Sequence, residues 1–238
     1  MNPHIQHLIS ETNIVGVIAS WQNIKTAMMY SRLNSQFADF YEWRVDHYQS
    51  TSIEPRLKSL HKPIILTVRD PREDGRELEW SVSRRAALYG QYMRLATFVD
   101  VETASVTDLL GIIRRAQRLG IGVIMSQHVL KKGLWSPELT EQAAKICHQV
   151  GGDVFKTVLL PDSQAQFYQF MMCVDRLEKK YFPMKIAPMA VGKEFGKVSR
   201  ILAGMSGSPL VYGHLGGAVV EGQWHVSEIR DILKLARR

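Results

Sequence analysis

The sequence predicts a (β/α)8 barrel, and three observations carry that expectation. Short β-branched runs alternate with amphipathic stretches from Asn13 onward, there are eight such runs, and the segments between them are too long for hairpins. Neighbouring strands must therefore pair in parallel through crossovers, and eight crossover units close a barrel. An open doubly wound sheet is the alternative, but no glycine-rich phosphate loop follows the first strand. The 238 residues, 45% hydrophobic and 22% charged, suit one domain spanning 1–238 with a sizeable core.

Taken in order, a strand is expected at Ile14–Ala19 and a helix at Gln22–Arg32, then a strand at Phe37–Arg44 and a helix at Glu54–His61. The third strand, Pro63–Val68, leads to a helix over Val82–Leu95 that Ser81 is placed to cap. Phe98–Glu102 precedes a helix over Val106–Leu119, with Thr107 as its expected N-cap. Gly122–Ser126 is followed by Pro137–Val150, where Ser136-Pro137-Glu138 gives a start signal. Gly120 and Gly151 suit the ends of these two helices. Val154–Val158 with Ser163–Tyr181, Lys185–Met189 with Lys193–Met205, and Pro209–Tyr212 with Ser227–Leu235 complete the series. Gly192-Lys-Glu-Phe-Gly196-Lys197 has too short a spacing for a phosphate loop and reads as a helix start.

Charge and cysteine content narrow the functional class. The 30 Lys and Arg against 23 Asp and Glu give a net charge of +7, which raises the question of a polyanionic partner. Basic pairs such as Arg84-Arg85, Arg114-Arg115 and Lys179-Lys180 are scattered over separate elements without interleaved aromatics, so nucleic acid is not expected. Cys147 and Cys173 form neither a C-x-x-C pair nor a metal-ligand spacing, and the histidines lack an H-x-x-x-H pair, so no metal is expected. Met1–Ser10 carries no apolar signal core and no apolar run reaches about 18 residues, which points to a cytoplasmic protein with no membrane partner.

In a barrel, chemistry gathers at the carboxyl ends of the strands, and several of those ends are polar. Glu42, Arg44 and Asp46 alternate at period two and should share one side of their strand. Arg69-Asp70, Asp100, Glu102 and Ser126-Gln127-His128 end the next three strands. Lys156 is the local conflict, because it interrupts the apolar run Val154-Phe155-Lys156-Thr157-Val158 where Val, Ile or Leu is expected. A buried ammonium is costly unless paired, and desolvation yields a neutral amine able to attack a carbonyl carbon. The strand alone equally allows Lys156 to reach solvent along its four-carbon stem. A lysine beside a histidine suits imine catalysis: the iminium acidifies the adjacent carbon and the imidazole moves the proton.

The segments Glu42-Trp-Arg-Val-Asp46-His-Tyr48, Leu66-Thr-Val-Arg69 with Glu73, Ser126-Gln-His128, Asp153-Val-Phe-Lys156, Gly196-Lys-Val-Ser-Arg200 and Gly222-Gln223 resemble the type I 3-dehydroquinate dehydratase family, in its order and over almost the whole chain. The resemblance implies a barrel lyase of the shikimate route to aromatic compounds that removes water from 3-dehydroquinate, without a cofactor. It implies that Lys156 forms the imine, His128 is the general acid and base, and Glu73 orients His128. Glu42, Arg44 and Arg69 would then bind ring hydroxyls, Arg200 and Gln223 the substrate carboxylate, and Asp46 would serve as an ion-pair partner. A homodimer is also implied.

The sequence departs from the family pattern at Val129, where Asp is usual, at Val191 for a methionine, at Val219 for a substrate-binding serine, and, by a looser alignment, at Ile18 for a first-strand serine. One lost hydroxyl-to-carboxylate bond would cost about 1.5 to 3 kcal/mol of binding if nothing replaced it. Two competing functions are an aldolase-like imine enzyme, which would not require the Glu42, Arg44 and Arg69 set, and a binding protein that has lost turnover.

Overall fold

The barrel is built from strands β1 (Asn13–Ile18), β2 (Phe40–Arg44), β3 (Ile64–Thr67), β4 (Phe98–Glu102), β5 (Gly122–Val129), β6 (Val154–Leu159), β7 (Lys185–Ala190) and β8 (Leu210–His214). The computed structural model describes residues 2–33, 35–47, 54–74, 81–218 and 220–236, so Tyr48 and Val219 lie outside the described residues. All pairings are parallel, in the order β7-β6-β5-β4-β3-β2-β1-β8. The sheet curls until only β7 and β8 remain without a shared ladder among the described residues. A side chain bridges that seam: Arg200 donates from Nε to the Tyr212 carbonyl of β8 at 2.9 Å and from Nη1 to the Ala190 carbonyl of β7 at 3.0 Å. Carbonyls that a ladder would have satisfied are thereby paired.

Between the strands run α2 (Trp21–Arg32), α3 (Glu54–Lys58), α5 (Val82–Tyr92), α6 (Val106–Arg118), α7 (Pro137–Gln149), α8 (Gln164–Lys180), α9 (Gly196–Met205) and α10 (Val226–Ala236). Start signals act as the sequence implies at two of them. Ser81 accepts from the Arg84 amide and Ser136 from the Leu139 amide, both at 3.2 Å. Thr107 does not cap its helix. A 3-10 turn over Thr103–Ser105 feeds directly into α6, so the cap position falls on Ser105, whose side chain makes no cap bond because it points into the buried ion network described below. Gly120 and Gly151 do take the left-handed conformation at their helix ends, with φ of 72° and 73°.

Two helices fall outside the expected alternation. The first, α1 (Pro3–Leu8), buries Ile5 and places Ile9, just after it, in the mouth of the barrel at the amino ends of the strands. The second, α4 (Pro71–Asp74), is a single turn after β3. The strand alternation then sorts side chains into two compartments. Ile14, Ile18, Trp43, Leu66, Val99, Val123, Met125 and Phe155 face outward and pack under the helices. Val15, Phe40, Ile65, Phe98, Ile124, Val154 and Leu210 point into the barrel with Ile5 and Ile9, making its lower half apolar.

That lower layer is tightly filled. A Cβ on Gly122 would lie 2.4 Å from two ring carbons of Phe98, itself packed against Phe40. Gly122→Ala is expected to destabilise the fold by about 1 to 3 kcal/mol through overpacking. Urea unfolding measures this, and a change under about 0.5 kcal/mol would show that the layer has room to relax.

Candidate active site

Above the apolar layer the same alternation brings charged residues inward. Lys156 is the third residue of β6 and only 4% exposed. Its Nζ lies 2.8 Å from Asp100 Oδ2 and 3.1 Å from Glu42 Oε1, and 4.4 Å from the centre of the Tyr212 ring. Lys156 therefore does not snorkel to solvent, and it is not the unpaired amine that its burial alone suggested. Two carboxylates and an aromatic face replace the water it has lost.

Asp100 is itself held. Burial alone would push its carboxyl up, but the Arg69 guanidinium and the Lys156 ammonium keep it well below the usual carboxylate range. Arg69 reaches Asp100 at 3.0 and 3.3 Å, Glu102 at 2.8 Å and Ser126 Oγ at 2.6 Å. Behind it Arg85 of α5 contacts Glu102 and donates to Asp70 at 3.1 Å and Ser105 at 2.9 Å. Removing one partner of such a buried pair typically costs about 3 to 5 kcal/mol, because the other charge is left uncompensated.

His128, on β5, meets Glu73 of α4, with Nδ1 2.8 Å from Glu73 Oε2. The same oxygen accepts the His128 backbone amide at 3.1 Å; in the tautomer in which Nδ1–H also donates to it, the Nε2 lone pair is free for chemistry. Burial, then the charges of Arg69 and Lys156, hold the imidazole well below its ordinary value. Burial, then repulsion from Glu102, pushes Glu73 up to about 8.

Glu42, Arg44, Arg69, His128, Lys156, Arg200 and Gln223 line one pocket at the carboxyl ends of the strands. The rest of its rim and walls comes from Val17, Leu130, Val158, Met189, Val191 and Val220, with Tyr212 adding an aromatic ring and a hydroxyl. Asp46 leaves the alternation: β2 ends at Arg44 and Asp46 sits in a 3-10 turn, where it grips Arg44 through two bonds of 3.0 and 2.6 Å. Arg200 spends its Nε and Nη1 on backbone carbonyls, while its buried Nη2 has no hydrogen-bond partner among the described residues. Gln223 Oε1 accepts the Val220 amide at 3.3 Å.

The departures divide by direction. Val129 and Ile18 belong to the outer core, away from the pocket, and the β1 residue facing the pocket is Val17. Val191 lines the wall. The sequence offered Asp100 only as a polar strand end, without a role, and did not single out Tyr212. The strand Phe98-Val99-Asp100-Val101-Glu102 alternates at period two, which was the available signal for Asp100. Tyr212 gave none, since an aromatic residue in a strand reads as core.

Eight parallel strands with a lysine-centred pocket at their carboxyl ends define a (β/α)8-barrel enzyme scaffold. The sequence profile described as Type I 3-dehydroquinase matches residues 17–238, and the chain belongs to that family. It is 26% identical over 215 residues to the 3-dehydroquinate dehydratase of Klebsiella pneumoniae, covering 83% of this chain and 82% of that one. The crystal structure of 3-dehydroquinate dehydratase from Geobacillus kaustophilus superposes with a TM-score of 0.83 at 18% identity, over 96% of this chain and 92% of the other. That of the Clostridium difficile type I enzyme, solved with covalently modified comenic acid, gives 0.80 at 21% identity, over 95% and 93%.

The dyad makes stability depend on pH with a definite sign. Unfolded, Glu73 titrates near its ordinary 4.5, so between that pH and about 8 the folded chain holds a proton that the unfolded chain has lost. Stability from this group falls as pH rises through the window. His128 has the opposite slope, confined to pH below its ordinary 6.5. Between pH 6.5 and 8 only Glu73 acts, and the wild type should lose about 1 to 2 kcal/mol relative to Glu73→Gln. Denaturant titrations of both proteins across that range check it; a pH-independent difference contradicts it.

Proposed function

We propose that the chain catalyses the dehydration of 3-dehydroquinate to 3-dehydroshikimate through an imine on Lys156. The single observation that carries this reading is the Lys156 amine fixed inside the pocket by Glu42 and Asp100, with the His128–Glu73 dyad lining the same cavity. Family membership supplies the substrate.

Nζ attacks as a free amine, so its ammonium first gives up a proton, and the two carboxylates beside it are the nearest acceptors. The amine adds to the ring ketone, water leaves, and a protonated imine forms. That iminium withdraws electrons from the adjacent carbon, and His128 Nε2 takes its proton. The electron pair then expels the ring hydroxyl, which leaves as water with the proton returned by His128. Hydrolysis of the imine releases the enone and restores Lys156.

In this reading Glu42 and Arg44 engage ring hydroxyls. Arg69 contributes mainly by holding Asp100, since it already serves three polar side chains. Arg200, through Nη2, and Gln223 take the carboxylate, for which a guanidinium is well suited. The protein would work in the cytoplasm on this small-molecule substrate as a homodimer without a cofactor; the dimer and the lack of a cofactor rest on the family resemblance alone. Among the described residues no helix is long and apolar enough to cross a membrane, and no group of three His, Cys, Asp or Glu side chains is placed to hold a metal ion.

Mixing the purified chain with 3-dehydroquinate should raise the ultraviolet absorbance of an enone. Lys156→Ala should lower the rate by at least about a thousandfold, as expected when a covalent step is removed. Binding of 3-dehydroquinate without enone formation by the wild type would instead favour the binding-protein alternative, which the valine at position 219 in place of the family's serine motivates.

A further inference from the structure

Tyr212 lies on β8 and is 3% exposed, with its ring over Lys156 Nζ. Its hydroxyl is buried and has no hydrogen-bond partner among the described residues. A buried hydroxyl with no partner is uncommon because its desolvation is uncompensated, and such a group in a pocket wall is satisfied when a ligand arrives. Arg200 Nη2 is the other buried, unpartnered polar atom among the residues lining this pocket. The two residues are joined, since Arg200 Nε donates to the Tyr212 carbonyl at 2.9 Å. Among the described lining residues Tyr212 carries the one hydroxyl, because Val17, Val158, Val191 and Val220 present only methyl groups.

We propose that the Tyr212 hydroxyl donates a hydrogen bond to the carboxylate of the bound ring, beside Arg200, and so selects a cyclic acid over the corresponding uncharged ring. This deepens the dehydratase reading and rests on it for the substrate. Two orphaned donors call for an acceptor-only group with two oxygens, which a carboxylate is and a ring hydroxyl is not. Burial, then the charges of Glu42 and Asp100, keeps the phenol protonated and therefore a donor.

Tyr212→Phe removes the oxygen and keeps the ring. It is expected to raise KM for 3-dehydroquinate at least tenfold with kcat within about threefold, a split that a merely structural role would not give. In parallel, calorimetry with 3,4-dihydroxybenzoate and with 3,4-dihydroxybenzamide should show at least a tenfold loss of affinity in the variant for the acid and an unchanged affinity for the amide. An unchanged KM, a fall in kcat alone, or equal losses for acid and amide would each overturn the assignment. Absence of turnover in the wild type would defeat the dehydratase reading instead, while the calorimetric comparison would still decide the role of Tyr212.

Discussion

The ammonium of Lys156 is the constraint around which the upper half of the barrel is arranged. A positive charge in a dry interior is tolerable only when opposite charges meet it, and Asp100 and Glu42 do so from two other strands. Those carboxylates would in turn be intolerable without Arg69, and Glu102 balances Arg69 while Arg85 balances Glu102. The chain of alternating charge thus runs from the lysine through β4 and β3 to α5. Each member is fixed by its neighbours, which pre-positions the amine without relying on a flexible loop.

The fold supplies the dry side of that bargain. Phe40, Phe98, Ile124 and Val154 fill the lower barrel, and Ile5 and Ile9 of the amino-terminal segment cover its mouth from below. The lower side of the barrel is thereby closed by apolar side chains, and the pocket that contains Lys156 lies at the carboxyl ends of the strands. The one interruption of the ladder, between β7 and β8, is bridged by Arg200. Two nitrogens of that residue join the barrel wall, and the third has no hydrogen-bond partner among the described residues.

Much of this was legible in the sequence because period-two alternation of β-branched residues survives wherever a strand has a filled inside and a covered outside. All eight strands and the eight helices that follow them are found where that pattern puts them, within a few residues, although the helix from Glu54 stops at Lys58. Lys156 betrayed itself by breaking an apolar run, and Glu42 and Arg44 by their spacing. Other features were hidden for physical reasons. The turn that carries Glu73 is too short to show a helical period, and the barrel plug α1 has one and a half turns with a mixed face. Thr107 looked like a cap because the adjoining 3-10 turn shifts the start of α6 to Ser105. Tyr212 is indistinguishable in sequence from a core aromatic; its ring over Lys156 and its hydroxyl, without a partner among the described residues, set it apart in the structure.

The family assignment and the geometry converge on one nitrogen atom, so the decisive measurement is where the substrate becomes attached. Borohydride reduction of the chain in the presence of 3-dehydroquinate, followed by proteolysis and mass mapping, should place the whole of the added mass on the peptide containing Lys156. Attachment to a different lysine, or undiminished turnover with no attachment at all, would contradict the account.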